Sequence, residues 1–224
     1  MKWSALLSCV LMFVGGISVA QFSVGVRSGV NCSTQKFVGV GAYPDFMNGV
    51  RSRAGFNGGL YIRWQPLRRF GIQSELLYST QGSRVDHTTT FKAPYPGVSG
   101  SSTRETMNYD FRYINVPVLV QVHVIPALVL DFGSQLGFLR KATRDGFDAD
   151  DRTANTDFGV ALGGALTIKG VSAGARYTWG LRQVENESLY YYAARNRNFE
   201  IYAGYRLASW GKKKIGIQNF QSVP

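Results

Sequence analysis

Cysteine, histidine and charge are all scarce in this chain of 224 residues, which has two cysteines and two histidines. So few metal-binding side chains exclude a Cys/His zinc cluster and a disulfide-rich scaffold. Charged residues make up 17% of the chain, against about 25% in an average soluble protein. No apolar run of about eighteen residues occurs beyond the N-terminus, so the body of the chain has no predicted membrane-spanning helix. Phosphate-binding glycine loops and nucleotide fingerprints are missing as well.

The N-terminus has the layout of a secretory signal peptide. Lys2 supplies a positive start, residues 5–17 are apolar, and Ser18-Val19-Ala20 is a small-residue cleavage pattern. We therefore expect residues 1–20 to be removed and the mature protein to be exported. Cys9 leaves with the signal peptide, so Cys32 remains alone and no internal disulfide can form.

From residue 21 onward, apolar residues recur at every second position, which is the period of a β-strand with two different faces. The clearest case runs from Ile114 to Val124, where every even-numbered residue is isoleucine or valine. Eight such segments of about ten residues occur, the length of a tilted membrane-crossing strand. The long connections lie near residues 32–52, 82–106, 140–155 and 182–198, and the short ones near 66–69, 125–126 and 169–170. This alternation predicts an all-β fold, an eight-stranded antiparallel up-and-down transmembrane β-barrel.

The two faces of these segments differ in charge. The apolar faces carry no charged residue, which fits the cost of about 2–4 kcal/mol for a charge at the centre of a bilayer. Four cations and four anions occupy the other faces, namely Arg27, Arg63, Glu75, Asp131, Asp157, Arg176, Glu200 and Arg206. Eight strands enclose a space just wide enough for side chains, and buried charges persist when paired. We therefore predict a plugged interior with an arginine–carboxylate network. A soluble barrel with the apolar face inside, like a lipocalin, is the alternative.

Aromatic residues collect near the ends of the segments. Trp64, Phe70, Tyr205 and Trp210 lie at the short-turn end, and Tyr78, Tyr109, Tyr177 and Trp179 at the long-loop end. Amphipathic rings favour both membrane–water interfaces, so this placement predicts two aromatic belts. Aromatic residues are also common in strands generally, which is the simpler interpretation.

Four sequence segments carry a family resemblance. They are SELLYS at 74–79 followed by QG at 81–82, YINVPVLV at 113–120, DFG at 157–159 and GARYTWGL at 174–181. Together they resemble the strand motifs of the PorT-like outer-membrane β-barrel proteins of the Bacteroidota. The resemblance implies a barrel of the OmpA/OmpX type in the outer membrane. Most members of that family have no assigned activity, and the founding member resembles an assembly factor for type IX secretion. Members often end at an aromatic residue of the last strand, whereas this chain continues past Leu207 to Pro224.

These observations predict a domain layout and a role. We expect a signal peptide at 1–20, a barrel domain at 21–208 and a periplasmic tail at 209–224, with both termini periplasmic and the long loops extracellular. The predicted function is a structural or interaction role through four outer loops, without enzymatic activity or a cofactor. The alternatives are a small-solute channel, a type IX secretion factor and a lipid A-modifying enzyme. Expected partners are outer-membrane lipid, including lipopolysaccharide, and secretion or envelope proteins, with no nucleic acid.

Three polar groups are weaker candidates for chemistry. His87, preceded by Asp86, could act as a base in a lipid-modifying enzyme, although a solvated loop residue is the simpler interpretation. Asp145, Asp148, Asp150 and Asp151 form an acidic cluster that could hold Ca²⁺ or Mg²⁺, and again a solvated loop is simpler. The basic residues 212–214, with Arg68 and Arg69, could contact anionic lipid or peptidoglycan, although a disordered polar tail is the simpler interpretation.

Overall fold

A computed structural model describes residues 21–39, 49–91, 101–150, 153–184 and 192–211. The predicted signal peptide, Asp151 and the basic residues 212–214 lie outside the described residues. The strands are β1 Gln21–Gly39, β2 Val50–Gln65, β3 Phe70–Phe91, β4 Ser101–His123, β5 Leu128–Arg144, β6 Phe147–Asp148, β7 Thr156–Ile168, β8 Val171–Gly180 and β9 Tyr192–Trp210. The described residues contain no helix that is long and apolar enough to cross a membrane.

Eight long strands close into a ring within the described part of the chain. Each pairs antiparallel with the next long strand, and β9 pairs with β1, so the order is β1-β2-β3-β4-β5-β7-β8-β9. The two-residue β6 pairs only with the end of β5. The predicted fold class, an eight-stranded antiparallel up-and-down barrel, is therefore confirmed.

The strands extend well beyond the predicted ten residues. β3 and β4 contain 22 and 23 residues and pair through most of the segment 82–106, which was wrongly predicted to be a loop. Val85 lies opposite Met107, and His87 lies opposite Glu105. Beyond the apolar band the outer face becomes polar, with Arg84 and Arg112 exposed, whereas Val85 and Phe111 are buried on the inner face. The period of outward apolar residues therefore ends there. The main-chain ladder continues because backbone groups pair whatever the side chains are.

The short connections occur where the alternation placed them. β7 and β8 are joined by Lys169 and Gly170, whose φ angles are 50° and 91°. Two positive φ values in a two-residue loop are the requirement of a type I′ turn, whose twist matches that of the flanking strands. At the same end, the His123 amide donates to the carbonyl of Arg69 over 2.8 Å, which connects the other two short turns.

Burial is the reverse of that in a water-soluble protein. Among the described residues, 22 buried residues are polar or charged and 13 are hydrophobic, whereas soluble cores are mostly apolar. The exposed outer wall carries large aliphatic side chains from every long strand, such as Val30, Ile62 and Leu207. The faces predicted from the alternation are therefore correct, and the lipocalin-like alternative is wrong.

Candidate functional site

Five charged side chains meet inside the barrel and form what we call the inner ion cluster. They are Arg27, Glu75, Asp131, Arg176 and Glu200, which come from β1, β3, β5, β8 and β9. Each side chain in the cluster is at most 6% exposed. They lie inside the barrel because side chains alternate between the two faces of a strand, and each of these five occupies an inward-facing position.

Glu75 lies at the centre of the cluster and binds both arginines. Arg176 approaches it with two parallel bonds, Nη1 to Oε2 and Nη2 to Oε1, each 2.9 Å long. Arg27 Nη1 donates to Oε2 over 2.7 Å. The neutral amide of Gln73 also donates to Glu75, from Nε2 to Oε1 over 2.6 Å. Charge-assisted bidentate bonds of this kind are among the strongest in proteins.

The remaining carboxylates extend the cluster around the lumen. Arg176 Nη2 donates to Asp131 Oδ2 over 2.9 Å, and its Nη1 lies 3.3 Å from Glu200 Oε1. Arg27 Nη2 reaches the same Glu200 oxygen at 2.9 Å. Asn57 Nδ2 donates to the other Glu200 oxygen over 3.0 Å. Each buried charge therefore has an opposite partner, the condition under which desolvated ions are tolerated.

An aromatic ring supports the two guanidinium groups. The Cζ of Arg27 lies 3.7 Å from the centroid of the Tyr202 ring, and that of Arg176 lies 5.4 Å away. The Tyr202 ring occupies the space that a side chain at Gly174 would fill, because a Cβ there would come within 2.7 Å of the ring. Sequence reasoning placed Gln73, Asn57 and Tyr202 on the inner faces but gave them no role. Their signal was parity within each strand, which Gln73 shares with Glu75, Tyr202 with Glu200, and Asn57 with Arg63.

Three of the eight predicted interior charges do not join the cluster. Arg63 donates from Nε and Nη2 to Gln73 Oε1, at 2.9 and 2.8 Å. Asp157 accepts from Asn196 Nδ2 at 2.9 Å, and Arg206 is half-buried beside the β7–β8 turn. Of the eight charges in the predicted network, five therefore lie in the inner ion cluster. These residues share the inward face but lie at other heights along the barrel, and parity does not specify height.

A group of aromatic side chains lies inside the barrel at the end with the long hairpins. Phe111 and Tyr113 of β4 are buried and pack against Ala142, with Tyr109 stacked on Phe111 at 6.3 Å. Tyr109 was predicted to lie in an outer aromatic belt, and this prediction is wrong. It shares the inward parity of the other two rings, which places it inside.

The connections at this end fold over the aromatic group. Ala149 packs against it from the segment after β6. Ala154 donates its amide to the carbonyl of Val184 over 2.8 Å, and Val184 donates to Ala194 over 2.9 Å. All three of these residues are buried. The β5–β7 and β8–β9 connections therefore meet at the hairpin end of the barrel.

The acidic side chains after β5 accept hydrogen bonds from backbone amides. Asp145 Oδ1 accepts from the Asn108 amide at 2.7 Å, and Asp148 Oδ1 accepts from the Asp150 amide at 3.0 Å. Asp150 Oδ1 accepts from the amide of Ala142. Among the described residues, no three histidine, cysteine or acidic side chains converge in a way that could hold a metal ion.

The other predicted belt aromatics lie on the outer wall. At the short-turn end, Phe22 stacks on Trp64 at 6.2 Å and lies opposite Trp210 in the register. At the other end, Tyr177 packs against Trp179 at 4.5 Å. Phe70, Tyr78 and Tyr205 are exposed on the same wall. His87 is part of β3 instead of the predicted loop.

Comparison with known protein families gives a match over most of the chain. A model of the outer membrane protein beta-barrel domain family matches residues 18–186. No curated protein matches at a significant level.

Two solved structures illustrate the resemblance of architecture. Neisserial surface protein A has 13% sequence identity and a TM-score of 0.47, over 83% of this chain and 98% of its own. The attachment invasion locus protein of Yersinia pestis, solved with the heparin analogue sucrose octasulfate, has 16% identity and a TM-score of 0.41, over 84% and 99%.

Proposed function

The chain belongs to the outer membrane protein beta-barrel domain family, and from that premise we propose that it is a closed barrel that acts through its extracellular hairpins. The localisation that follows from the family is the outer membrane. In the proposed orientation the short turns and both termini are periplasmic, and the long hairpins are extracellular, as in other barrels of this class.

The observation that carries the proposal is the bond between Arg176 and Glu75. Their strands, β8 and β3, are four strands apart in either direction around the eight-strand ring. A pair of 2.9 Å contacts between opposite sides of the barrel closes the lumen at that height. Arg27 and Asp131 also come from opposite strands, β1 and β5, and both bind members of the same cluster.

A second closure lies above the first. The group formed by Tyr109, Phe111 and Tyr113 fills the lumen toward the hairpin end, and Ala149 covers it. A solute would have to separate both layers to pass. The lumen is therefore a packed interior, and the hairpins are the part of the protein that is free to meet a partner.

Planar-bilayer recording of the purified protein tests this closure. We expect no steady ion conductance from the wild-type barrel, because the ion cluster and the aromatic group block the path in series. Insertion is verified independently by the difference in gel mobility between unheated and boiled samples. Steady conductance from protein that shows this mobility shift would overturn the proposal and favour a small-solute channel.

A further inference from the structure

Three cations lie together on the outer wall, and we call Arg112, Arg140 and Lys141 the rim cluster. Arg112 lies on β4 two residues beyond Ile114, which belongs to the apolar outer face. Arg140 lies on β5 two residues beyond Phe138, an exposed residue of that face. The rim cluster therefore begins where the apolar wall ends, at the hairpin end of the barrel.

A β-bulge brings the third cation to this face. Tyr113 pairs with Leu139 and Arg112 pairs with Lys141, so β5 has one residue more than β4 at this point. Arg140 and Lys141 are consecutive, yet both are exposed, and Ala142 after them is fully buried inside. Regular alternation would direct Lys141 into the lumen. Bulges re-aim side chains in this way and are often found next to functional sites.

The rim cluster has no internal counter-charge. Arg112 and Lys141 are directly opposed in the register, and like charges in that position destabilise a sheet. Within the part of the chain that the structure describes, no ion pair joins any of the three to a carboxylate. The outward carboxylate two residues further along β4, Asp110, is already paired with Arg53 at 2.9 Å.

Like-charge pairing recurs around the same end of the barrel. Lys36 of β1 lies opposite Arg195 of β9, and Arg51 of β2 lies opposite Arg84 of β3. Arg51 also forms an ion pair with Asp86 at 2.9 Å. Like charges thus face each other on three strand pairs of this rim, and an anionic environment would offset their repulsion.

We propose that the rim cluster binds the phosphates of a lipid A-type glycolipid in the leaflet next to the hairpins. Guanidinium groups bind phosphate oxygens with two bonds at once. The acyl chains of the lipid would lie along the wall formed by Ile114, Val116, Leu136 and Phe138, directly below the cations. This inference rests on the proposed function, since it requires the barrel to be embedded with its hairpins on the glycolipid side.

Native mass spectrometry of the detergent-solubilised protein, titrated with diphosphoryl lipid A, tests the site. Replacing all three cations (R112Q/R140Q/K141Q) should weaken lipid A binding at least tenfold, because each cation near an anionic lipid contributes severalfold in affinity. The matched control R68Q/R69Q removes two exposed cations at the short-turn end and should leave binding within twofold. The variant R112K/R140K, which keeps the charge, should retain more than half of the binding energy.

Each outcome decides a separate point. Equal binding by the triple variant and wild type, or equal weakening by the R68Q/R69Q control, would overturn the site. Phosphatidylglycerol binding as tightly as lipid A would overturn the assignment to a glycolipid, and inorganic phosphate competing at equal concentration would overturn a lipid ligand altogether. The heat-dependent gel shift is recorded for every variant. If wild type lacks that shift, the proposed function fails, whereas a normal shift with unchanged binding rejects the rim site alone.

Discussion

Arg176 of β8 binds Glu75 of β3 across the full width of the barrel, through two bonds of 2.9 Å. The two strands are not neighbours in the sheet, so this contact connects opposite walls of the barrel. Arg27 and Asp131 add bonds from two further strands. Four strands that are not consecutive in the ring are thereby joined at one height.

Removing Glu75 should be strongly destabilising. Glu75→Ala removes the central carboxylate, which accepts bonds from both Arg27 and Arg176. The two arginines keep only their bonds to Glu200 and Asp131, and breaking a buried ion pair costs about 3–5 kcal/mol. The free energy of unfolding in urea, measured in lipid vesicles, should fall by that amount. The double variant E75A/R176A should lose less than the sum of the single losses, because it removes both charges of one pair. Additive losses would show that the two residues are not coupled.

Tyr202 provides a test of ring stacking that is separate from hydrogen bonding. Tyr202→Leu removes the ring beneath Arg27, 3.7 Å from its Cζ, and a desolvated cation–π contact is worth about 2 kcal/mol. The unfolding free energy should fall by a similar amount. Tyr202→Phe keeps the ring and is the matched control, expected to lose less than half as much. An equal loss in both variants would assign the role of Tyr202 to its hydroxyl group.

Two adjacent glycines differ in the space around them and allow a paired substitution. A Cβ at Gly163 would lie 2.5 Å from Asp131 Oδ1 and 2.7 Å from the carbonyl of Ala175, whereas one at Gly164 would meet nothing closer than 3.2 Å. Gly163→Ala should therefore cost about 1–3 kcal/mol through overpacking, and Gly164→Ala should cost less. The same vesicle unfolding assay measures both. Equal stability of the two variants would contradict the close packing of Asp131 on β7.

The sequence predicted correctly which side chains face the inside of the barrel, but it did not predict how far along the barrel axis each one lies. Alternation placed Arg27, Glu75 and Arg176 inside because a strand has a period of two. It could not say that Asp157 and Arg206 lie at other heights, since height depends on register and on bulges such as the one at Arg140. The same limit explains Tyr109, whose position near the end of a strand suggested a belt although its parity placed it inside. Strand length was underestimated because the outward apolar residues end at the edge of the apolar band, whereas backbone pairing continues beyond it.

The proposed orientation of the barrel predicts which residues can be labelled from outside the cell. Phe147, at the end of the β5–β6 hairpin, is 79% exposed, and Arg68 lies in the short turn after β2. On a Cys32→Ser background, Phe147→Cys should react with a membrane-impermeant maleimide in intact cells, and Arg68→Cys should react only after lysis. The opposite pattern would reverse the proposed orientation.

A charge on the outer wall tests whether lipid covers it. Leu162 is exposed on β7 next to Gly163, at the height of the inner ion cluster. Leu162→Arg should reduce stability in vesicles by about 2–4 kcal/mol, because a cation near the bilayer midplane loses its hydration. Phe147→Arg, at the hairpin tip, is the matched control and should change stability by less than about 0.5 kcal/mol, as for most surface substitutions. If Leu162→Arg were as stable as this control, the wall would face water, and a membrane-embedded barrel would be excluded.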